Sequence, residues 1–478
     1  MAILNLKSLA PLSKIRKGVK MSGNRTAALA YAQNHQERFL EELKALIKIP
    51  SVSTQPQFAA QMNAAAAWVA EQLRALGMSQ VAICPTERHP VVCGEYRCPD
   101  SHAPTLLVYG HYDVQPPDPL ELWQSPPFEP TVNGDYLYGR GASDMKGQLL
   151  AGLKAIESIL KTDRLNVNLR FLVEGEEEIG SPSLQKFISE NRERLQADVA
   201  LNLDSGILAP HVPAITISLR GLAYFELRVY GAASDLHSGT FGGVVHNPAQ
   251  VLCELIAAMH DAQGRVTLPG FYNRVRPLSE AERAEIARLP LDEAYFLQVT
   301  GAPALFGEEG YTPAERVGAR PTLEVNGLYS GYIGEGSKTV LPAYAMAKIS
   351  CRLVPDQDPA DVYLQLLDYL QTHAPRTVRW ELIQHAGSPP AMIEPDRPEV
   401  TALSQAMEQV WGKKPAFKRE GGSIPVVAQL QQLLGMPTIL SGFGLPDDNL
   451  HAPNERLHLP TWRRGIETLI HFFYNLAA

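Results

Sequence analysis

Cysteine is scarce in this chain. The five residues, Cys84, Cys93, Cys98, Cys253 and Cys351, are odd in number and share no metal-ligand spacing. They describe neither a disulfide framework nor a cysteine metal site, and a reducing cytoplasm fits them best. Long apolar runs are also lacking: no stretch approaches the roughly 20 residues of a membrane span. The first twenty residues carry Lys7, Lys14, Arg16, Lys17 and Lys20 but no apolar stretch of signal-peptide length, so export is not expected. Met21 precedes a polar helix-like stretch, so the leader reads either as a mis-called start or as a loose tail. Basic charge is short as well, with 43 Lys and Arg against 51 Asp and Glu and a formal net charge of −8. That argues against a nucleic-acid partner, which needs a basic face to replace phosphate counterions. No acidic block, internal repeat or low-complexity segment stands out.

What is present is ample material for a core. A chain of 478 residues exceeds the ~250–300 at which single cores stop growing, so two domains are expected. Phe39, Leu40, Leu43, Leu46 and Ile47 recur at helical spacing until Pro50. Met62, Ala65, Val69, Leu73 and Leu76 do so before Gly77, which suits a C-terminal cap. The runs Val91 to Tyr96 and Thr105 to Val114, a helical pattern from Gly147 to Lys161, then Leu169 to Val173 and Val199 to Leu203 alternate strand and helix. Such alternation predicts a mostly parallel sheet covered by helices. After Gly206 come strand-like Ile215 to Leu219 and Tyr224 to Val229, the capped helix Asn247-Pro248 to His260, strand Ala345 to Val354, a helix from Asp358-Pro359, and strand Val378 to Ile383. This is the content of a small α/β sandwich. Ser388 to Pro398 reads as a linker, after which the first style resumes with Pro437 to Ser441. The expectation is an α/β catalytic domain in two parts, residues 22–212 and 395–478, interrupted by an inserted domain, 213–394.

The chemistry concentrates where apolar strands end. Leu106 to Val114 closes on Gly110-His111-Tyr112-Asp113, and the two-residue period of a strand puts His111 and Asp113 on one side. Asp113 can then hold the ring nitrogen that His111 does not give to a metal. The turn Gly139 to Gly147 presents Asp144 at the start of a helix, where a capping aspartate is the plain alternative. Glu174-Gly175-Glu176-Glu177-Glu178 follows another apolar strand, and Asp204 a third. His451 lies in the Gly/Pro-rich loop from Asp447 to Asn454. Open α/β sheets bind ligands at such strand ends, and a metal is the simplest reason to gather carboxylates that otherwise repel one another.

With these motifs in their order and separations, the chain resembles, over nearly its whole length, the dinuclear metallopeptidase family of carnosinase-like dipeptidases, glutamate carboxypeptidase, aminoacylase and succinyl-diaminopimelate desuccinylase. The resemblance implies that Asp144 bridges two divalent metal ions, zinc first, with manganese or cobalt as alternatives. His111 and Asp204 would complete one metal's ligands, and Glu178 and His451 the other's. Glu177 is then the general base that activates a metal-bridging hydroxide, with Asp113 behind His111. Glu176 is the competing base, and the Gly-x-Glu-Glu-x-Gly pattern favours Glu177 and Glu178.

Further along, Ser234 to Gly239 is similar to the family segment whose histidine, here His237, serves the partner subunit's oxyanion site, which implies a homodimer joined through the inserted domain. Thr339 and Arg352 look like holders of a substrate terminal carboxylate, since Arg suits bidentate recognition. Arg419 to Pro425 resembles a glycine-rich substrate loop with Ser423 as a donor. Aspartate at position 204 and the segment Gly331 to Val340 look most like the carnosinase-type dipeptidases. The implied activity is therefore hydrolysis of the amide bond of small peptides with a free C-terminal carboxylate. An N-acyl-amino-acid deacylase is the near alternative and a non-catalytic binding protein the distant one.

Overall fold

The computed structural model describes residues 23–477, and the leader before Met21 lies outside them. The middle strand of the larger sheet is Thr105–His111, paired in parallel with Asn168–Glu174 on one side and Val199–Asn202 on the other. Thr438–Leu440 extends the parallel set beyond Val199–Asn202. These strands are runs rather than alternations because both faces are covered; Leu106, Leu107, Val108 and Tyr109 are all buried. The outer strands turn antiparallel, with Val91–Tyr96 and Ser79–Cys84 at one edge. The result is a mixed α/β sheet with a parallel centre, flanked by helices.

The expected helices form at Gln36–Ile47 and Ala59–Ala75, and Gly77 takes the left-handed φ of +78° that a glycine tolerates. Helix Lys146–Leu160 is buried almost along its length and packs against helix Leu459–Leu476. Trp462 Nε1 donates to the Gly147 carbonyl at 2.7 Å, which ties the last helix to the segment after Asp144. Among the described residues no helix is long and apolar enough to cross a membrane.

A second sheet is wholly antiparallel, in the order Thr322–Ser330, Tyr344–Leu353, Gly221–Tyr230 and Arg379–Ser388. Helices Pro248–Ala257 and Pro359–His373 pack against it, capped as expected by the Asn247 and Asp358 side chains. Its core, including Phe225, Leu227, Leu252, Leu366 and Tyr369, is separate from that of the larger sheet.

One strand differs from expectation. Ala214–Leu219, read as the first strand of the insertion, belongs to the larger sheet, where it pairs in parallel with Ala416–Glu420 and antiparallel with Ala391–Met392. All six of its residues are buried, and only the larger sheet, covered on both faces, meets that demand. The chain therefore changes sheets at Arg220, enters the second at Gly221 and leaves it at Ser388, inside the anticipated 213–394. The two crossings touch: a Cβ on Gly221 would lie 2.5 Å from the Ser388 carbonyl oxygen, so only glycine fits there. Helices Glu280–Ile286, Glu293–Thr300 and Pro313–Ala319 fill a stretch for which no element was anticipated.

Candidate metal centre

His111 ends the central strand fully buried. Its Nδ1 faces the Asp113 carbonyl at 3.1 Å and the Asp113 carboxylate at 3.4 Å. The other carboxylate oxygen of Asp113 accepts from the Glu178 amide at 3.1 Å, so this residue orients both the imidazole and the next turn. Nε2 of His111 points at Asp144 Oδ1, 3.2 Å away, and Asp204 Oδ2, 3.8 Å away, yet it is buried without a hydrogen bond.

Asp144 does not cap the helix that follows it, whose N-cap is Met145. Its carboxylate is shared instead: Oδ1 faces His111, and Oδ2 lies 3.0 Å from His451 Nε2. His451 Nε2 is also 3.2 Å from Glu178 Oε2. The turn that presents Asp144 is gripped by a residue that sequence reasoning missed. Glu455, fully buried, accepts from the backbone N–H groups of Gly141, Ser143 and Asp144 at 2.9–3.1 Å and from Arg140 Nη1 at 2.8 Å. Asp448 adds a second tie through the Ser143 hydroxyl at 2.7 Å. The signal was Arg140 itself, since an arginine inside a glycine-rich turn that packs under a strand end needs a buried carboxylate partner.

The acidic run divides by role. Glu174 accepts from Tyr109 and Ser181, and burial pushes its carboxyl up to about 8. Glu176 accepts from Thr86, His89 and both the amide and hydroxyl of Ser183. Glu177 and Glu178 open the short 3-10 turn Glu177–Ile179 and bring their carboxylates to the cluster. Ligand atoms of His111, Glu177 and Asp204 lie within 4.8 Å of one another, as do those of His111, Asp144 and Glu178.

The electrostatics show what the cluster lacks. Burial pushes Asp204 up to about 7, and Asp144 beside it adds to the effect. Burial likewise raises Glu177 well above the usual carboxylate range. Burial opposes charge on Asp144 too, but the facing imidazoles of His111 and His451 hold it below its ordinary value. Hydrogen bonds to Asp144 and Glu178 lift His451 to about 10. Carboxylates this crowded suit cations, and an orphaned buried imidazole nitrogen aimed at them is a ligand atom in wait. The mixed imidazole and carboxylate donors fit divalent metal ions.

The anticipated substrate residues lie elsewhere in the chain. Arg352 Nη1 donates to the Ser423 hydroxyl at 3.2 Å, and Arg352 lines a cavity of about 440 Å³ with Arg220, Ser350 and Glu324. His237 and Thr339 meet on a different ribbon, where Leu236–His237 pairs with Val340–Leu341 and the Ser238 amide donates to the Thr339 carbonyl at 3.1 Å. His237 is exposed, and its Nδ1 accepts from the Gly239 amide. Within one chain the structure thus joins Arg352 to Ser423 and His237 to the Thr339 ribbon.

Residues 107–475 match the model of peptidase family M20/M25/M40. The chain is 30% identical over 462 residues to a Cys-Gly metallodipeptidase of Candida albicans, covering 91% of this chain and 94% of that one. Among solved structures it is similar to an M20 family metallo-carboxypeptidase of Sulfolobus solfataricus, with a TM-score of 0.80, 34% identity, and coverage of 92% of this chain and 99% of that one. It is also similar to human carnosine dipeptidase 1, with a TM-score of 0.75, 29% identity, and coverage of 95% and 98%.

Proposed function

Because the chain belongs to peptidase family M20/M25/M40, we propose that it is a metal-dependent dipeptidase that cleaves the amide bond of small peptides with a free C-terminal carboxylate. The observation that carries this reading is the cluster itself: Asp144 shared between His111 and His451, with the Glu177 carboxylate alongside. His111 and Asp204 would hold one divalent ion, Glu178 and His451 the other, and Asp144 both, with zinc as the metal. Bound, the ions supply Lewis acidity that polarises the scissile carbonyl and lowers the pKa of water. Glu177 takes a proton from the attacking water and returns it to the leaving nitrogen. A carboxyl whose pKa is raised by burial suits a group that must hold that proton between the two steps.

Recognition falls to the second sheet and its flanking loop. Arg352, with Ser423 beside it, receives the terminal carboxylate, and Thr339 assists. His237, exposed in its own chain, stabilises the oxyanion from a partner subunit. On this reading the insertion, which runs from Gly221 to Ser388, is a lid and dimerisation domain on a catalytic body formed by the chain on either side of it, and the enzyme is a cytoplasmic homodimer. Mixing His237→Ala with Glu177→Gln subunits restores partial activity if His237 acts across the dimer, and restores none if it acts within its own chain.

The relatives named above are peptidases, which speaks against an N-acyl-amino-acid deacylase, and the intact ligand set with Glu177 speaks against a non-catalytic binding protein. The similarity to a metallo-carboxypeptidase favours a second reading, release of the last residue from longer peptides. Hydrolysis rates for a series from dipeptide to pentapeptide with the same C-terminal residue decide between them. Activity that falls away beyond the dipeptide supports the first; activity that holds or rises with length supports the second.

A further inference from the structure

The first two strands of the larger sheet, Ser79–Cys84 and Val91–Tyr96, form an antiparallel pair at its edge, joined by residues 85–90. In their register Cys84 stands opposite Val91 and Cys93 opposite Ala82. Since side chains two apart share a face, the two cysteines are diagonal neighbours on one side of the pair. Both join the same apolar cluster, Cys93 as a buried member and Cys84 packed at its margin, part-exposed. Arg194 reaches this margin: its Nη1 lies 3.4 Å from Cys84 Sγ, and its Nη2 donates to the Gln80 carbonyl at 2.9 Å. A hydrogen bond from the Cys93 thiol lowers the Cys84 pKa to about 6, burial opposing and Arg194 assisting, and the same bond raises Cys93. The part-exposed Cys84 sulfur, beside the Arg194 guanidinium, is thus the more acidic of the two, and the Cys93 thiol lies buried on the same face, the combination that redox-responsive pairs use.

The loop between the two strands touches the metal centre at one remove. The Thr86 hydroxyl and the His89 amide donate to Glu176 at 2.9 and 2.8 Å, and Glu176 precedes Glu177. His89 Nε2 adds a contact to the Ser53 carbonyl at 3.0 Å.

We propose that Cys84 and Cys93 form a peroxide-sensitive thiol pair whose closure to a disulfide alters the stem of the 85–90 loop and, through Glu176, lowers turnover at Glu177. The Cys84 thiolate attacks one oxygen of a hydroperoxide; the O–O bond breaks, the S–O bond of a sulfenic acid forms, and hydroxide or alkoxide leaves. The Cys93 thiol then attacks the Cys84 sulfur, so that the S–S bond forms, the S–O bond breaks, and the thiol proton leaves with the hydroxyl as water. Sulfur gives up two electrons in all, which reduce the peroxide, and a dithiol reductant reverses the change.

The thiol half of this proposal is read without reference to any substrate. Reduced full-length protein is treated with hydrogen peroxide, blocked with N-ethylmaleimide and mapped by mass spectrometry, with the exposed Cys253 as internal control. The expected product is a Cys84–Cys93 disulfide formed ahead of any change at Cys253, while Cys93→Ser accumulates a dimedone-reactive sulfenic acid at Cys84. Oxidation of Cys84 no faster than Cys253, or a Cys84 product that leaves Cys93 reduced, overturns the pair. The coupling half rests on the dipeptidase reading and is measured as hydrolysis: oxidised protein loses turnover and dithiothreitol restores it, whereas Cys84→Ser, fully active when reduced, is insensitive to peroxide. A disulfide that forms with turnover unchanged keeps the pair and overturns the coupling.

Discussion

Glu176 and Glu177 are chain neighbours with opposite surroundings. Glu176 turns inward to accept from Thr86, His89 and Ser183, whereas Glu177 lies within ligand distance of His111 and Asp204. Glu177→Gln keeps the shape and removes the proton acceptor, so kcat should fall by about a hundredfold to ten-thousandfold while the metal content is unchanged. Glu176→Gln should instead lower the melting temperature, because it disturbs four hydrogen bonds, two of them buried. Metal analysis, rates and melting curves on both variants check this; an inactive, metal-loaded Glu176→Gln beside an active Glu177→Gln would reverse the assignment.

Among the described residues, Asp144 is the one that faces both His111 and His451. Asp144→Ala should abolish binding of both ions, whereas His451→Ala should weaken chiefly one. Plasma emission analysis of protein equilibrated with limiting metal distinguishes the two, and two full equivalents retained by Asp144→Ala would rule out a shared ligand.

Glu455 neutralises Arg140 and takes three backbone N–H groups of the Asp144 turn. Removing one member of a buried ion pair strands the other, so Glu455→Ala should cost about 3–5 kcal/mol in urea unfolding. Metal affinity should fall about 10–100-fold in the same variant, and Glu455→Gln, which can still accept from the amides, should recover part of the affinity. Unaltered metal affinity in Glu455→Ala would limit this residue to a structural role.

Metal removal should make stability pH-dependent in a definite direction. Burial raises Asp204 from an ordinary 3.8 to about 7, and raises Glu177 as well. A carboxyl raised in the folded state binds more protons folded than unfolded, so its stability contribution is full below its ordinary pKa and is lost as pH rises through the folded value. Chelator-treated protein should therefore lose stability between about pH 4 and pH 7, and the gain on adding metal should widen across that window. Melting curves of both forms measure it; a metal-dependent gain that shrinks toward pH 7 contradicts the charge crowding described here.

Much of the site was legible because its residues sit where elementary patterns end. His111 and Asp113 close an apolar strand with a two-residue period, and Asp204 follows another, so position relative to the sheet can be inferred without knowing the sheet. What pattern cannot tell is which sheet a buried strand joins, and Ala214–Leu219, apolar on both faces, was accordingly placed with the wrong one. Glu455 escaped notice because a lone acid after a proline-rich loop looks solvated; its partner Arg140 lies more than three hundred residues away in the chain. The helices Glu280–Ile286 and Pro313–Ala319 did carry a readable signal, the capping boxes Ser279 to Glu282 and Thr312 to Glu315. That Arg352 meets Ser423 and that His237 pairs with Val340 are tertiary facts that no local pattern encodes.

The most direct test of the account is a metal titration of chelator-stripped protein with dipeptide hydrolysis followed at each step. Two divalent ions held through a shared Asp144, with Glu177 as base, predict that activity climbs to a plateau at two equivalents per chain and that Glu177→Gln binds the same two without turning over. A plateau at one equivalent, or two ions bound with no peptide hydrolysed, would contradict it.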